Sequence, residues 1–166
     1  MHATNTHEGH FVEHTGTIAL RAAPDKVFPL FGHDREREWA DDWTPEPVYP
    51  DVVVAQEGAV FRTRHGGDAV WVVNRYDAST SNVAYTNFRH EDRVTRIWIS
   101  VDDDPERKGW SVANVTYAIT ALSEKGAHYI AHFDEAHYQA MMQEWEEDIN
   151  ASLSKASYLN LDNRQS

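Results

Sequence analysis

The feature that most constrains this chain is a long apolar stripe near its C-terminus. Apolar side chains recur there at steps of three and four residues, the spacing of one helical face; they are Tyr138, Met141, Met142, Trp145, Ile149, Leu153 and Ala156. Polar residues lie between them, and Asp134 stands where a helix N-cap is expected. The pattern predicts an amphipathic helix of about 24 residues, roughly 36 Å long. Such a helix needs an equally long surface to pack against.

The chain before this helix supplies that surface as a series of predicted strands. Alternating apolar and polar residues mark strand segments at 14–21, 59–65, 70–76, 83–88, 94–101 and 110–122. Short turns separate most of them, and strands joined by short turns form an antiparallel meander. The segment TPEPVYPD (44–51) contains three prolines and is predicted as an extended connection.

Two short helices are predicted after the first strand. Pro24 and Asp25 suit a first helical turn, and Pro29 is incompatible with a long helix, so this element should end at Gly32. A second short helix is predicted over 34–40. A chain of 166 residues fits a single domain, which we place at 14–158 between flexible tails at 1–13 and 159–166.

The composition excludes several classes of function. The formal charge is −12 and the basic residues are scattered, so nucleic acid and anionic bilayers are poor partners. The chain has no Cys, which excludes disulfides, thiolate metal sites and a Cys nucleophile and fits a cytoplasmic location. It shows neither a signal-peptide pattern nor an apolar run of roughly 18 residues, so we expect a soluble protein without a membrane span.

Several segments resemble the START-like, helix-grip superfamily, also called SRPBCC, which includes the birch-pollen allergen proteins and the polyketide cyclase/dehydrase proteins. They are APDKVFPLF (23–31), REREWADDW (35–43), EGAVFRT (57–63), VWVVNRYD (70–77), VTYAITALSEKG (115–126) and YQAMMQEWEEDIN (138–150). The resemblance spans roughly 14–155. Within the superfamily, the chain resembles a bacterial branch of small proteins. It implies an α+β fold in which a curved antiparallel sheet of six to seven strands wraps around the long helix. It also implies a cavity between sheet and helix for an apolar or amphipathic small molecule.

The alternation selects a face of the sheet that points to the helix. Odd positions are apolar in 94–101 and 111–121, so odd residues should face inward there and, by extension, in 70–76 and 83–88. The predicted ligand-binding residues are Trp39, Trp43, Trp71, Arg75, Tyr85, Asn87, Ile97, Ile99, Tyr117, Met141, Met142 and Trp145, with Glu36 and Glu38 as candidate acid–base groups. The alternative is that these side chains fill a solid core, with Arg75 in an ion pair to Glu36 or Glu38.

Motifs for other chemistry are absent from the sequence. It contains no G-x-S-x-G string, no G-x-G-x-x-G string and no P-loop. The densest group of potential metal ligands is His128, His132, Asp134, Glu135 and His137. Because 126–133 should precede the C-terminal helix, His128 and His132 need not share a face, and we expect exposed side chains rather than a metal site. His2, His7 and His10 fall in the predicted N-terminal tail.

Three functions stay open at this point. The first is binding or carriage of an apolar small molecule. The second is a polyketide cyclase- or dehydratase-like enzyme that uses the same cavity with Glu36, Glu38, Arg75 and Tyr117 as candidate groups. The third is a protein-interaction module of the co-chaperone type, which would show an exposed apolar patch over a filled core. We expect no cofactor and no metal, and the oligomeric state, monomer or homodimer, is left open.

Overall fold

A seven-stranded antiparallel sheet dominates the fold. The computed structural model describes residues 9–162, with side chains through residue 157. The strands are β1 Phe11–Leu20, β2 Glu46–Tyr49, β3 Val60–Thr63, β4 Ala69–Asp77, β5 Asn82–Arg89, β6 Arg93–Asp103 and β7 Ser111–Ala121. Their spatial order is β1-β7-β6-β5-β4-β3-β2, so the predicted meander is confirmed and one long-range pairing returns β7 to β1.

The helices occur at two places in the chain, between β1 and β2 and after β7. They are α1 Pro24–Val27, which continues into a 3-10 turn at Phe28–Phe31, a second 3-10 helix Glu36–Glu38, α2 Glu124–His132 and α3 Glu135–Asp162. The predicted short element ending before Gly32 is confirmed, whereas the helix expected over 34–40 is a single 3-10 turn. In the part of the chain that the structure describes, no helix combines the length and apolarity of a bilayer span.

The ordered elements extend beyond the predicted domain limits at both ends. β1 begins at Phe11, inside the segment that was predicted as a tail, and α3 continues to Asp162, past residue 158. The remaining parts of the predicted tails, 1–8 and 163–166, lie outside the described residues. Asp134 caps α3 as predicted, because its side chain accepts the backbone N–H of His137 at 2.8 Å.

Two elements were missed in the sequence. α2 is capped by Ser123 and contains Gly126, a poor helix former that hides the helix from pattern reasoning. A Cβ on Gly126 would lie 2.0 Å from the backbone oxygen of Asp92, so only Gly lets α2 approach the β5–β6 turn. β2 was predicted as a connection because of its prolines, but it pairs with β3 as the edge strand, where Pro is tolerated.

α3 is fastened to β1 and β7 along its length. The Tyr138 hydroxyl donates to the backbone oxygen of Val115, and the backbone N–H of Ala19 donates to Glu146 at 2.7 Å. A Cβ on Gly16 would lie 3.0 Å from the Tyr138 ring, so the missing side chain at 16 permits this close contact. Glu146 therefore also covers the outer edge of β1, which has no strand neighbour on that side.

The predicted inward face is confirmed over 83–88, 94–101 and 111–121, where the odd residues are buried or half-buried and mostly apolar. In β4 the prediction holds only as far as Val73. The register shifts between Val73 and Arg75, a β-bulge that reverses the alternation. Arg75 is consequently exposed and lies 3.5 Å from Asp77, while Tyr76 packs against Phe28 with ring centroids 5.1 Å apart. The inward position predicted for Arg75 is wrong for this reason.

Candidate functional site

A cavity lies between the middle of the sheet, α3 and the second 3-10 helix. Its volume is about 170 Å³ and its walls are Glu36, Trp39, Ala40, Trp43, Trp71, Tyr85, Ile97, Ile99, Tyr117 and Trp145. We call it the tryptophan cavity. The space corresponds to about six water molecules at roughly 30 Å³ each, below the roughly 300–1,000 Å³ of drug-sized pockets. It is close to the ~150 Å³ apolar cavities that accept benzene, so it suits a molecule of about one ring.

The cavity exists because α3 contacts the two halves of the sheet differently. Tyr138 and Ile149 of α3 are completely buried, and Tyr138 lies against Gly16 of β1 and Val115 of β7. From Tyr117 of β7 toward the middle of the sheet, large aromatic side chains fill the space between α3 and the sheet only in part. Trp145 of α3 meets Tyr117 at 6.0 Å and Trp39 at 5.3 Å between ring centroids, both edge to face. Edge contacts of this kind leave room beside the rings.

Three of the four cavity tryptophans are held by hydrogen bonds to the protein. The indole N–H of Trp39 donates to the Leu30 backbone oxygen at 2.7 Å, and that of Trp43 to the His33 backbone oxygen at 2.8 Å. The indole N–H of Trp71 donates to the Thr63 hydroxyl at 2.9 Å. These bonds fix the ring orientations before any ligand arrives, which lowers the entropy cost of binding.

A stack of aromatic rings supports the tryptophans from behind. Phe61 lies between His33, at 4.2 Å with nearly parallel planes, and Trp71, at 5.6 Å with nearly parallel planes. Trp43 meets both Phe61 and Trp71 edge to face. His33 and Phe61 were not among the predicted site residues. They reach Trp71 only by stacking in the folded protein, and no spacing in the sequence marks that contact.

Glu36 places a carboxyl group at this aromatic wall. The residue keeps partial solvent exposure along its length, but its carboxyl group is surrounded by protein. Burial, with a smaller contribution from the nearby Asp34, raises the pKa of Glu36 to about 8. No ion pair or hydrogen bond to the Glu36 carboxyl group is found within residues 9–157. Glu36 is therefore mostly protonated at neutral pH and can donate or accept a hydrogen bond.

Two tyrosines share the cavity with Glu36 but differ in their hydroxyl groups. The Tyr85 hydroxyl donates to the Phe31 backbone oxygen at 2.6 Å. For the Tyr117 hydroxyl no protein partner is found among the described side chains. Burial raises the pKa of both tyrosines well above its usual value, and Glu36 raises both further. Tyr117 and Glu36 are thus the two groups whose hydrogen-bonding capacity is left for a ligand.

Several predicted site residues lie elsewhere. Glu38 points to solvent and pairs with Arg35 at 2.6 Å, so its proposed acid–base position is wrong. Met142 is buried against Gly16 and belongs to the packed core. Arg75 is exposed because of the bulge in β4. Glu36 does line the cavity, but the ion pair that the sequence suggested between Arg75 and Glu36 or Glu38 is not formed, because Arg75 pairs with Asp77 instead.

Asn87 and Met141 line a second cavity of about 200 Å³ that adjoins the first. Its walls are Trp71, Asn87, Arg89, Arg93, Thr95, Ile97, Tyr117, Ile119, Tyr129, Phe133 and Met141. Trp71, Ile97 and Tyr117 line both cavities, which are therefore neighbours. Because two guanidinium groups line it, we call it the basic cavity. Arg89 and Arg93 were not predicted, yet both are odd-numbered and pair with each other across the β5–β6 turn. The alternation that selected Asn87 could have found them.

The histidines do not assemble a metal site in the described part of the chain. His128 and His132 do share a face, one turn apart on α2 with ring centroids 4.4 Å apart, so the expectation that they need not was wrong. Both are exposed, and no group of three or more potential ligands is found among the residues described. His10 is exposed before β1, and His2 and His7 lie outside the described residues.

Comparison with known proteins identifies the fold. No protein-family model and no curated protein matches the chain in sequence. Among solved structures, Ara h 8.0201 matches with 13% identity and a TM-score of 0.60 over 87% of this chain and 99% of that one. Ginseng major latex-like protein 151 from Panax ginseng matches with 14% identity and a TM-score of 0.60, over 86% and 97% of the two chains. Norcoclaurine synthase from Thalictrum flavum, in complex with dopamine and hydroxybenzaldehyde, matches with 9% identity and a TM-score of 0.59, over 82% and 85%.

These neighbours are members of the START-like, helix-grip superfamily, and this chain has their fold. The resemblance seen in the sequence is therefore confirmed for the fold, and the seven strands fall within the predicted number. Identities of this size concern architecture, so function has to be argued from the residues of the cavities themselves.

Proposed function

We propose that this protein binds a small aromatic or otherwise apolar molecule in the tryptophan cavity. The observation that carries the proposal is the cavity itself, a space of about 170 Å³ walled by four tryptophans, three of them held in place by the protein. The same fold in norcoclaurine synthase holds dopamine and hydroxybenzaldehyde, two single-ring compounds. That precedent supports a ligand of similar size.

The cavity offers such a molecule both apolar contact and a polar end. Aromatic rings gain stacking and edge contacts of about 0.5–1.5 kcal/mol each beyond the burial of their area. Glu36 and Tyr117 add a carboxyl and a hydroxyl group that a ligand oxygen or nitrogen can reach by hydrogen bonding. A few placed polar groups in an apolar pocket are typical of small-molecule sites.

The test is ligand-induced stabilisation and quenching of tryptophan fluorescence with a panel of one-ring compounds, for example phenol, indole and 4-hydroxybenzaldehyde. Trp71→Ala removes part of the cavity wall. Trp98→Ala is the matched control, because Trp98 lies in β6, is exposed and does not line the cavity. We expect at least one compound to bind wild type and Trp98→Ala, and to bind Trp71→Ala about tenfold more weakly. The absence of binding by every compound, or equal binding by both variants, contradicts the proposal.

Glu36 favours a second candidate function, an acid–base enzyme of the cyclase or dehydratase type. A general acid or base works best when its pKa lies near the working pH, and the pKa of Glu36 is raised to about 8. Glu36→Gln should then abolish turnover of a bound carbonyl compound while binding persists. Glu38→Gln, two residues away and exposed, should leave turnover unchanged. If wild type binds the compound without turning it over, the enzyme hypothesis is contradicted and only the carrier function is supported.

The third hypothesis, a protein-interaction module, has weaker support. Val48, Tyr49 and Val52 do form an exposed apolar group at and just beyond the edge strand β2. That hypothesis, however, expects a filled core, whereas two cavities lie inside the described chain. From composition alone we also infer a cytoplasmic location and no nucleic-acid partner, since the net charge of −12 disfavours phosphate backbones.

A further inference from the structure

The basic cavity differs in charge from the chain as a whole. The chain carries a formal charge of −12, yet this cavity is lined by the half-buried side chains of Arg89 and Arg93. Guanidinium groups stay charged at all accessible pH values, so a buried arginine needs an acceptor or an anion nearby. The contacts of each arginine therefore show whether the protein itself supplies enough negative charge.

Arg93 has its charge partly balanced. It forms an ion pair with Asp92 at 2.9 Å and its guanidinium lies over the Tyr129 ring at 3.4 Å from the centroid. Asp92 is itself buried and also lies 3.8 Å from the Lys125 ammonium group. One carboxylate thus serves two cations.

Arg89 has no carboxylate of its own among the side chains described. One of its nitrogens donates to the backbone oxygens of Gly66 and Gly67, at 3.1 and 2.9 Å. These bonds fix the side chain against the β3–β4 turn but do not neutralise it. Burial lowers the pKa of Arg89 and the neighbouring Arg93 lowers it further, while Tyr129 and the Asp92 carboxylate, which already pairs with Arg93, offset only part of this shift.

Asn87 adds an unused donor to the same wall. It is only 3% exposed, and its side-chain Nδ2 has no hydrogen-bond partner among the residues that the structure describes. A buried amide donor without a partner costs about 1–3 kcal/mol of stability, so its retention needs an explanation. Arg89, Arg93 and Asn87 therefore place positive charge and a free donor around one space of about 200 Å³.

We propose that the ligand of the tryptophan cavity carries a carboxylate, and that this carboxylate occupies the basic cavity between Arg89, Arg93 and Asn87. This inference rests on the proposed function, because the apolar part of the same molecule fills the tryptophan cavity. Trp71, Ile97 and Tyr117 line both cavities, so the two spaces are neighbours, and a ring with a short acidic chain has the size to extend from one into the other. Each cavity alone is smaller than the roughly 300–1,000 Å³ of common ligand pockets, whereas the pair falls within that range.

The protonation of Glu36 is compatible with an anionic ligand. Because the pKa of Glu36 is raised to about 8, the tryptophan cavity carries little negative charge at neutral pH. The acidic molecule would then meet a neutral apolar site at one end and a positive site at the other. Arginine pairs also suit a planar carboxylate, which accepts two parallel N–H bonds.

The experiment compares two molecules that differ only in charge, 4-phenylbutanoate and 4-phenylbutanamide, by calorimetric titration of the full chain. We expect the acid to bind wild type at least about tenfold more tightly than the amide, with a preference that weakens as salt is added. Acetate, which has the carboxylate but no ring, distinguishes a free small anion from an acidic group on a larger ligand, and we expect it to bind far more weakly. Acetate that binds as well as 4-phenylbutanoate overturns the two-part ligand.

Arg89→Gln should remove most of the preference for the acid and leave the affinity for the amide within about twofold. The matched control is Arg96→Gln, because Arg96 lies in the same sheet region, is exposed and stacks on Trp98 outside the cavities. We expect Arg96→Gln to bind both compounds as wild type does. An unchanged acid preference in Arg89→Gln, or an equal loss in Arg96→Gln, contradicts the inference.

Asn87→Leu gives a second, independent test that does not depend on Arg89 holding the β3–β4 turn. Removing an unpaired buried amide should raise the melting temperature of the free protein while it weakens 4-phenylbutanoate more than the amide analogue. A purely structural Asn87 would lower the melting temperature and leave the acid preference intact.

The outcomes separate this inference from the proposed function. If neither phenylbutyl compound nor any one-ring compound binds, the proposed function fails, and the inference fails with it. If the amide binds as tightly as the acid, the tryptophan cavity binds ligand as proposed and only the carboxylate site is overturned.

Discussion

The two halves of the interface between α3 and the sheet both contain aromatic side chains, but one half is densely packed and the other contains a cavity. Over β1 and β7, Tyr138 is completely buried, its hydroxyl is bonded to Val115, and Gly16 removes a side chain so that the ring can approach. Toward the middle of the sheet, beginning at Tyr117 of β7, Trp145 and Tyr117 meet at their edges and border empty space. We call the first half the closed side and the second the open side.

The difference teaches where stability and binding reside in this fold. Dense packing on the closed side uses all of its contact surface, so added atoms there find no room. The open side is less densely packed. Its tryptophan side chains are oriented by hydrogen bonds from their indole N–H groups to backbone oxygens. Substitutions that add or remove small groups should therefore act with opposite signs on the two sides.

The largest effect is expected on the closed side. Gly16→Val should lower the free energy of unfolding by about 2–3 kcal/mol, since its side chain would meet the Tyr138 ring and Met142. Chemical denaturation measures this loss, and Thr17→Val, the adjacent exposed position on the same strand, serves as control within about 0.5 kcal/mol. A Gly16→Val protein as stable as the control would show that the closed side is not tightly packed.

The next effect concerns the pH dependence of stability on the open side. The pKa of Glu36 is about 8 in the folded chain and near 4.5 when unfolded, so between these values the folded state alone holds the proton. Its stabilising contribution is complete below about pH 4.5 and is lost as pH rises toward 8, roughly 2 kcal/mol after allowance for partial exposure. Glu36→Gln should flatten the unfolding free energy between pH 5 and 8.

Glu38→Gln is the control for that measurement. The pKa of Glu38 is lowered by its hydrogen bond to Arg35, so its contribution is lost only as pH falls into the acid range. The slope between pH 5 and 8 should therefore persist in Glu38→Gln. If Glu36→Gln keeps the same slope as wild type, the carboxyl group of Glu36 is not buried as described.

A smaller effect compares two tyrosines that differ by one hydrogen bond. Tyr138→Phe loses the bond to Val115 and should cost about 1 kcal/mol of unfolding free energy. Tyr117→Phe loses a hydroxyl with no partner among the described residues and should change stability by less than about 0.5 kcal/mol. Tyr117→Phe should instead weaken any ligand that hydrogen-bonds to this hydroxyl. Equal stability losses in the two variants would remove the distinction between the sides.

A small stability change of the opposite sign is expected where a substitution fills space on the open side. Ala40 lines the tryptophan cavity, and Ala40→Leu should fill part of it and raise the free energy of unfolding by about 0.5–1 kcal/mol. Thermal unfolding in the absence of ligand measures this gain. Destabilisation by more than about 1 kcal/mol would mean that the space beside Ala40 is not available.

The sequence predicted the elements that depend on regular spacing. The three- and four-residue steps through Tyr138 and Trp145 located α3, and the two-residue alternation placed Tyr85, Ile97 and Tyr117 on the inner face. These features are local consequences of helix and strand geometry. The helix-grip resemblance then supplied the arrangement of sheet around helix.

What spacing missed depends on contacts between distant residues. The extra residue at the bulge in β4 turned Arg75 outward, and nothing in the local pattern marks that position. His33 reaches the site only through its stack with Phe61. The sequence predicted that Glu36 lies near the cavity, but it suggested Arg75 as the partner of the carboxyl group. The burial of this group depends on the fold of the whole loop around Asp34.

The most direct test of the ligand-binding account is native mass spectrometry of wild type and Ala40→Leu, each purified from the protein's own host and followed by denaturing extraction. The account predicts one small apolar or aromatic molecule per wild-type chain and little or none on Ala40→Leu, whose cavity is partly filled. Wild type that is empty and that no one-ring compound stabilises, or equal ligand content in both proteins, would contradict it.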